Sequence, residues 1–188
     1  MLVSPGVSQL CPTYEVGYTG QDMYSRQYPI PGRLYMNLEE VSPCAGTVYG
    51  WHYCFDPDND SPPHGIVLAM YSQKRNNSYQ LVPGSYYELW VSEEVESFTC
   101  RNITLEPSEY FSVQEGDVVA ICRNVEVDNV IQLYFKLQYH DVWYWQPGSC
   151  SETSIMSPSS FRLRPDRVML LSAYISKSLE YITHQGHM

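Results

Sequence analysis

Val130-Ile131-Gln132-Leu133-Tyr134-Phe135-Lys136-Leu137-Gln138-Tyr139 alternates with a period of two. Ile131, Leu133, Phe135, Leu137 and Tyr139 share one side, and Gln132, Tyr134, Lys136 and Gln138 the other. That period belongs to a strand with one face in water, not to a helix. The same style recurs outward from it. Leu34, Met36 and Leu38 point one way and Tyr35 and Asn37 the other. In Thr47 to Phe55 one predicted face carries Tyr49, Trp51, Tyr53 and Phe55, and the other Val48, Gly50, His52 and Cys54. Ile66 to Tyr71 is almost wholly apolar, as a strand buried on both faces would be. Turn residues separate these runs. Pro83-Gly84-Ser85 reads as a hairpin-like turn between Tyr79 to Val82 and Tyr86 to Val91. Glu115-Gly116-Asp117 reads as a tight turn between Tyr110 to Val113 and Val118 to Arg123.

The pattern predicts an all-β domain of about 8–10 short strands, an antiparallel β-sandwich or jelly roll. Residues 1–31, rich in Pro and Gly, read as an irregular lead-in. Residues 32–176 read as the sandwich, with a Ser- and Pro-rich loop over 146–166 and a last strand over Val168 to Ile175. Residues 177–188 read as a tail or linker. Composition agrees. The chain has 188 residues, one domain's worth, and 44% are hydrophobic, enough for a sizeable core. Charged residues make up 17%, against roughly 25% in an average soluble protein, which disfavours a coiled coil or helix bundle. The 11 Lys and Arg stand against 21 Asp and Glu, a formal charge of −10. Cations supply most nucleic-acid affinity, so a nucleic-acid partner is not expected.

Compartment follows from six cysteines: Cys11, Cys44, Cys54, Cys100, Cys122 and Cys150. The count is even, the spacing wide, and CxxC is absent, so disulfides in an oxidising compartment are expected rather than a zinc knuckle or redox motif. The opposing reading is buried free thiols in a cytosolic protein. Asn76-Asn77-Ser78 and Asn102-Ile103-Thr104 fit the N-glycosylation acceptor pattern, with Asn76 in the more polar surroundings. Met1 to Leu10 lacks the basic and apolar parts of a signal peptide, and no apolar run spans a bilayer. Either a fragment of a longer secreted or membrane-anchored protein, or a gene model that misses its first exon, is therefore expected.

Chemistry-bearing patterns are few. His140-Asp141 offers a candidate base, but no GxSxG elbow or cysteine motif accompanies it. His184 and His187 lie in a polar tail. Asp56, Asp58 and Asp60 form DxDxD, a candidate calcium loop, although Ser61 and Val67 stand where an EF-hand needs Gly and Glu. No cofactor is expected, calcium being the one candidate. The 17 tyrosines are the most unusual feature. Trp143, Tyr144 and Trp145 are the candidate binding patch, and Trp51 and Trp90 are expected in the core.

Two segments carry a resemblance. One is Cys44-Ala45-Gly46-Thr47-Val48-Tyr49-Gly50-Trp51-His52-Tyr53-Cys54-Phe55, of the form C-x-G-x-V-x-x-W-x-x-C-aromatic. The other, Phe111 to Cys122, has an aromatic followed by V-Q-x-G-D-V-V-x-x-C. Together they resemble an extracellular module of sponge and other invertebrate cell-surface proteins, over about residues 30 to 176. The resemblance implies location and fold, with no activity to carry over. Cys54–Cys122 is the preferred disulfide, because each cysteine ends a strand beside one of these motifs. The function expected is non-enzymatic extracellular recognition or adhesion, with a protein or glycan partner at the cell surface. The alternative is a lectin-like carbohydrate-binding domain, with or without calcium. A secreted hydrolase using His140 and Asp141 is the third reading.

Overall fold

A computed structural model of the chain describes residues 13–17, 24–27, 34–57, 64–74, 78–91, 99–123, 131–137, 142–145, 162–164, 167–169 and 171–176. In chain order the strands are β1 (Tyr14–Gly17), β2 (Tyr24–Gln27), β3 (Leu34–Val41), β4 (Gly46–Pro57), β5 (His64–Gln73), β6 (Tyr79–Leu81), β7 (Tyr87–Val91) and β8 (Thr99–Thr104). They continue with β9 (Phe111–Val113), β10 (Val118–Arg123), β11 (Ile131–Leu137), β12 (Val142–Trp145), β13 (Arg162–Arg164), β14 (Arg167–Met169) and β15 (Leu171–Ser176). Among the described residues the only helical element is one 3-10 turn, Pro107–Glu109.

The strands form two antiparallel sheets. In the first, β4 is central. It pairs with β15 along one edge and with β8 and β9 along the other, and β1 lies outside β15. β11 pairs with the far end of β4 and carries β2 and β14. In the second sheet the order is β13, β12, β3, β10, β5, with β6 and β7 both on the outer edge of β5.

One apolar cluster draws on both sheets. Val48, Trp51 and Tyr53 of β4 and Ala173 and Ile175 of β15 join Ile66, Leu68 and Met70 of β5 and Val119 and Ile121 of β10. A second cluster uses the opposite face of the second sheet: Leu34, Met36, Val67, Ala69, Val118, Ala120 and Cys122. The second sheet is therefore buried on both faces, which explains why Ile66 to Tyr71 has no polar side. The split of Leu34 and Met36 from Tyr35 across β3 follows the alternation of the sequence.

Four local readings differ from the sequence pattern. Strict alternation pairs Tyr49 with Trp51, but Val48 joins Trp51 and Tyr53 in the core instead. The ladder to β15 steps from Gly50 opposite Tyr174 to Val48 opposite Ile175, so Tyr49 is an inserted residue, a β-bulge. The run Val82 to Ser85 is no hairpin. β6 and β7 pair with successive parts of β5, not with each other, so they form one edge strand interrupted by a turn. Ser85 holds that interruption: its Oγ accepts from Met70 N and donates to Met70 O, both at 3.1 Å. β8 and β9 likewise lie end to end along β4, with the 3-10 turn between them. Finally, β1 and β2 lie inside the stretch read as irregular lead-in, and Val16 of β1 is buried in the shared core.

The turn at Gln114 to Asp117 also has a different job. It carries the chain from β9 in the first sheet to β10 in the second, rather than closing a hairpin. Asp117 N donates to Gln114 O (3.2 Å) and Gly116 N to Ser42 O (2.8 Å). The buried Asp117 carboxylate accepts from Gln114 N (2.8 Å) and Ser72 Oγ (2.5 Å). Gly116 sits at φ +87°, the left-handed region. An added Cβ there meets nothing within 4 Å, so the penalty for another residue is backbone strain alone. Gly116→Val is expected to cost more than ~1 kcal/mol, because β-branched residues tolerate this region badly. Chemical denaturation reads this directly, and an unchanged midpoint would contradict it.

Candidate functional site on the outer face of the first sheet

The face of the first sheet that points away from the shared core gathers a histidine, a disulfide and an aromatic stack. Beyond the bulge, β4 alternates, so Gly50, His52 and Cys54 lie opposite the face of Trp51 and Tyr53. β8 sets Thr104, Asn102 and Cys100 against these three residues, and β15 sets Tyr174 against Gly50 and Ser172 against His52. Directly opposite residues in an antiparallel ladder share a face, so these side chains meet. A Cβ at Gly50 would collide with the Ile103 carbonyl oxygen and come 3.2 Å from the Tyr174 ring, so only glycine fits at the centre of the face. The bulged Tyr49 stacks on Tyr174, with centroids 5.9 Å apart and planes at 24°.

Asn102 is the hub of the hydrogen bonds. Its Oδ1 accepts from His52 Nδ1 at 2.6 Å and from the Tyr174 hydroxyl at 3.0 Å. Burial first, then the charge of the nearby Glu15, raises the Tyr174 phenol above its ordinary value, so at neutral pH it keeps the proton it donates. In the neutral ring a proton on Nδ1 leaves the lone pair on Nε2, and this nitrogen lies 3.6 Å from Cys54 Sγ. Asn102 itself is exposed, as an acceptor of a glycan must be.

Cys54 is bonded to Cys100, its opposite number on β8, with Cα atoms 4.0 Å apart. This corrects the expected Cys54–Cys122 pair. Cys122 belongs to the second sheet and to the cluster on that sheet's far face. Cys54 faces away from the shared core in the other direction, so two sheet layers separate the sulfurs. Stacked sheets lie about 10 Å apart, beyond the reach of a disulfide. Cys44 and Cys122 are disulfide-bonded as well. Cys11 and Cys150 lie outside the described residues.

None of the remaining sequence candidates is placed on this face among the described residues. Asp56 sits in β4 opposite Gln132, while Asp58 and Asp60 lie outside the described residues, so the calcium loop is not assembled among them. Asn76, His140 and Asp141 also lie outside them. Trp143, Tyr144 and Trp145 form β12 in the second sheet, opposite Met36, Tyr35 and Leu34, all buried residues. Trp51 is fully buried, as expected of a core residue. No described helix is long and apolar enough to cross a membrane. The sequence reading missed the Tyr49–Tyr174 stack and the link between His52 and Asn102. The spacing of His52 and Cys54 was the available signal; their partners on β8 and β15 come from register alone.

No family model, curated protein or solved structure matches the chain.

Proposed function

We propose that the chain is a disulfide-stabilised, non-enzymatic recognition module of the extracellular or cell-surface type, folded as a β-sandwich with jelly-roll connectivity. The cross-strand Cys54–Cys100 bond carries this reading, since structural disulfides persist in oxidising compartments and are rare in the cytosol. Cys44 and Cys122 support it by being bonded too. Strand order supports the connectivity. Taking β6–β7 and β8–β9 as single interrupted strands and leaving out β2 and β11 to β14, eight core strands remain, and the neighbours in one sheet are the first, eighth, third and sixth of them. In the other they are the second, seventh, fourth and fifth. That is the arrangement two Greek keys produce in a jelly roll. The resemblance of Cys44 to Phe55 and Phe111 to Cys122 to an invertebrate surface module agrees with the same reading.

A lectin-like role is the second reading, favoured by the half-exposed Tyr49–Tyr174 stack, a shape on which a sugar ring can lie. The oxidised domain, tested on cells and on a glycan array with and without EDTA, separates the two. Cell binding that survives EDTA, with no glycan signal, is expected. EDTA-sensitive glycan binding would transfer the case to the lectin reading and to the Asp56 loop. Turnover in a broad hydrolase screen would overturn both.

Two groups of aromatic residues are candidates for the contact. Tyr49→Ser with Tyr174→Ser is expected to weaken binding by at least about tenfold at unchanged melting temperature, as loss of an aromatic anchor does. Trp143→Ala with Trp145→Ala tests the β12 patch in the same assay; loss of binding there with the tyrosine pair silent would move the surface to the second sheet.

A further inference from the structure

The geometry points to a second state of the Cys54–Cys100 bridge: once a thiol reductant opens it, His52, Cys54 and Cys100 bind one zinc-type cation through Nε2 and two thiolates. This goes beyond the recognition reading and does not depend on it. The three ligand atoms all lie within 4.8 Å of one another. His52 Nε2 is 3.6 Å from Cys54 Sγ. In a tetrahedral site with Zn–S near 2.3 Å and Zn–N near 2.0–2.1 Å, the nitrogen–sulfur edge comes to about 3.6 Å, so this pair already stands at ligand spacing. The two sulfurs, no longer bonded, must separate to about 3.7 Å, the sulfur–sulfur edge of the same tetrahedron. Rotation about each Cα–Cβ bond supplies that movement while β4 and β8 keep their register.

The surroundings fit a ligand better than a bystander. A metal-binding histidine characteristically gives its other ring proton to a fixed acceptor, which sets the tautomer and the ring plane. Here Nδ1 donates to Asn102 Oδ1, and the Tyr174 hydroxyl holds the same oxygen from the side. Ser172 faces His52 across the ladder, and its fully buried Oγ has no hydrogen-bond partner. His52 and Cys100 are both partly exposed, so reductant and metal reach the site from solvent. Two soft thiolates with one imidazole select zinc or copper(I) over calcium or magnesium.

The chemistry balances with a thiol as the reductant. One thiolate attacks the more exposed Cys100 Sγ, and Cys54 leaves as a thiolate beside His52. A second thiol frees Cys100, and the two reductant sulfurs depart as one disulfide. The protein has gained two electrons and two protons. The cation then displaces both protons and takes the two thiolates and Nε2. In the oxidised state the sulfurs are committed to each other and the site is closed.

Cobalt(II), a spectroscopic substitute for zinc, tests this on the full chain, oxidised or reduced with a phosphine. Reduced protein is expected to bind one cobalt ion per chain, with thiolate charge-transfer bands and tetrahedral d–d bands, and oxidised protein none. Cys54→Ser with Cys100→Ser should abolish the bands although the other cysteines are reduced. His52→Gln should keep the thiolate bands and weaken binding. Asn102→Leu should weaken binding by ~10–100-fold with unchanged bands, and Asn102→Asp, which keeps an acceptor, should restore it. Bands that persist in the double cysteine variant would place the metal on other cysteines and overturn the proposal. Reduced wild type that binds no cobalt overturns it too, as does a reduced chain that circular dichroism shows unfolded with or without metal.

Discussion

Trp51→Ala is expected to destabilise the domain by about 3–5 kcal/mol, a large share of the ~5–15 kcal/mol that holds a typical domain folded. Trp51 is fully buried on β4, the central strand of the first sheet, and is the largest fully buried side chain among the described residues. It contacts Phe111 of β9 at a centroid distance of 6.0 Å and belongs to the cluster shared with β5 and β10. Truncation leaves a void between two sheets whose ladders hold their backbones apart, so the site cannot collapse to fill it. Trp51→Phe makes the argument sharper. The indole N–H has no hydrogen-bond partner, so replacing the ring by a phenyl loses volume but no bond, and relieves an unpaired buried donor. Its cost should be less than half that of alanine. Urea denaturation monitored by circular dichroism gives both values. A loss below ~1 kcal/mol for Trp51→Ala would mean that the two sheets do not share this core.

The second large effect is expected from removing the bridge. Cys54→Ala with Cys100→Ala opens a loop whose ends are 46 residues apart. Loop-closure entropy alone gives about 4 kcal/mol for a ring of that size, and measured losses usually fall at 2–4 kcal/mol. The bond joins β4 to β8 within the first sheet, and the loop it closes contains β5, β6 and β7 of the second. The loss should appear in the denaturation midpoint with cell binding retained below that midpoint. Single changes are the poorer experiment, since each leaves an unpaired thiol beside His52. Stability unchanged to within ~0.5 kcal/mol in the double variant would show that the bridge is dispensable to the fold.

The strand character of this chain was legible wherever one residue's neighbours sufficed to set its face. Leu34, Met36 and Leu38 against Tyr35, and the two-sided run Ile66 to Tyr71, were read correctly because side chains alternate whatever the strand pairs with. The reading of Tyr49 failed for the complementary reason. A bulge is a mismatch between two strands, and β15 lies more than a hundred residues further on in the sequence. Turns followed the same division. Gly116 was placed in a tight turn, but not that the turn crosses from one sheet to the other. The disulfide was misassigned because strand order, not proximity to a motif, decides which cysteines meet. At the site, His52 and Cys54 were placed on one face by spacing, whereas Asn102, Cys100 and Tyr174 reach them only through register with β8 and β15.

The most direct test of the central reading, a module built for an oxidising compartment, is disulfide mapping of protein secreted from a eukaryotic host. Trypsin alone leaves Cys44 and Cys54 in one peptide, so a second protease must cut after Tyr49 or Trp51. Without reductant, a Cys54 peptide joined to a Cys100 peptide is predicted, with no alkylated cysteine in the native protein. Alkylation of Cys54 and Cys100 in that native, secreted protein would contradict the account.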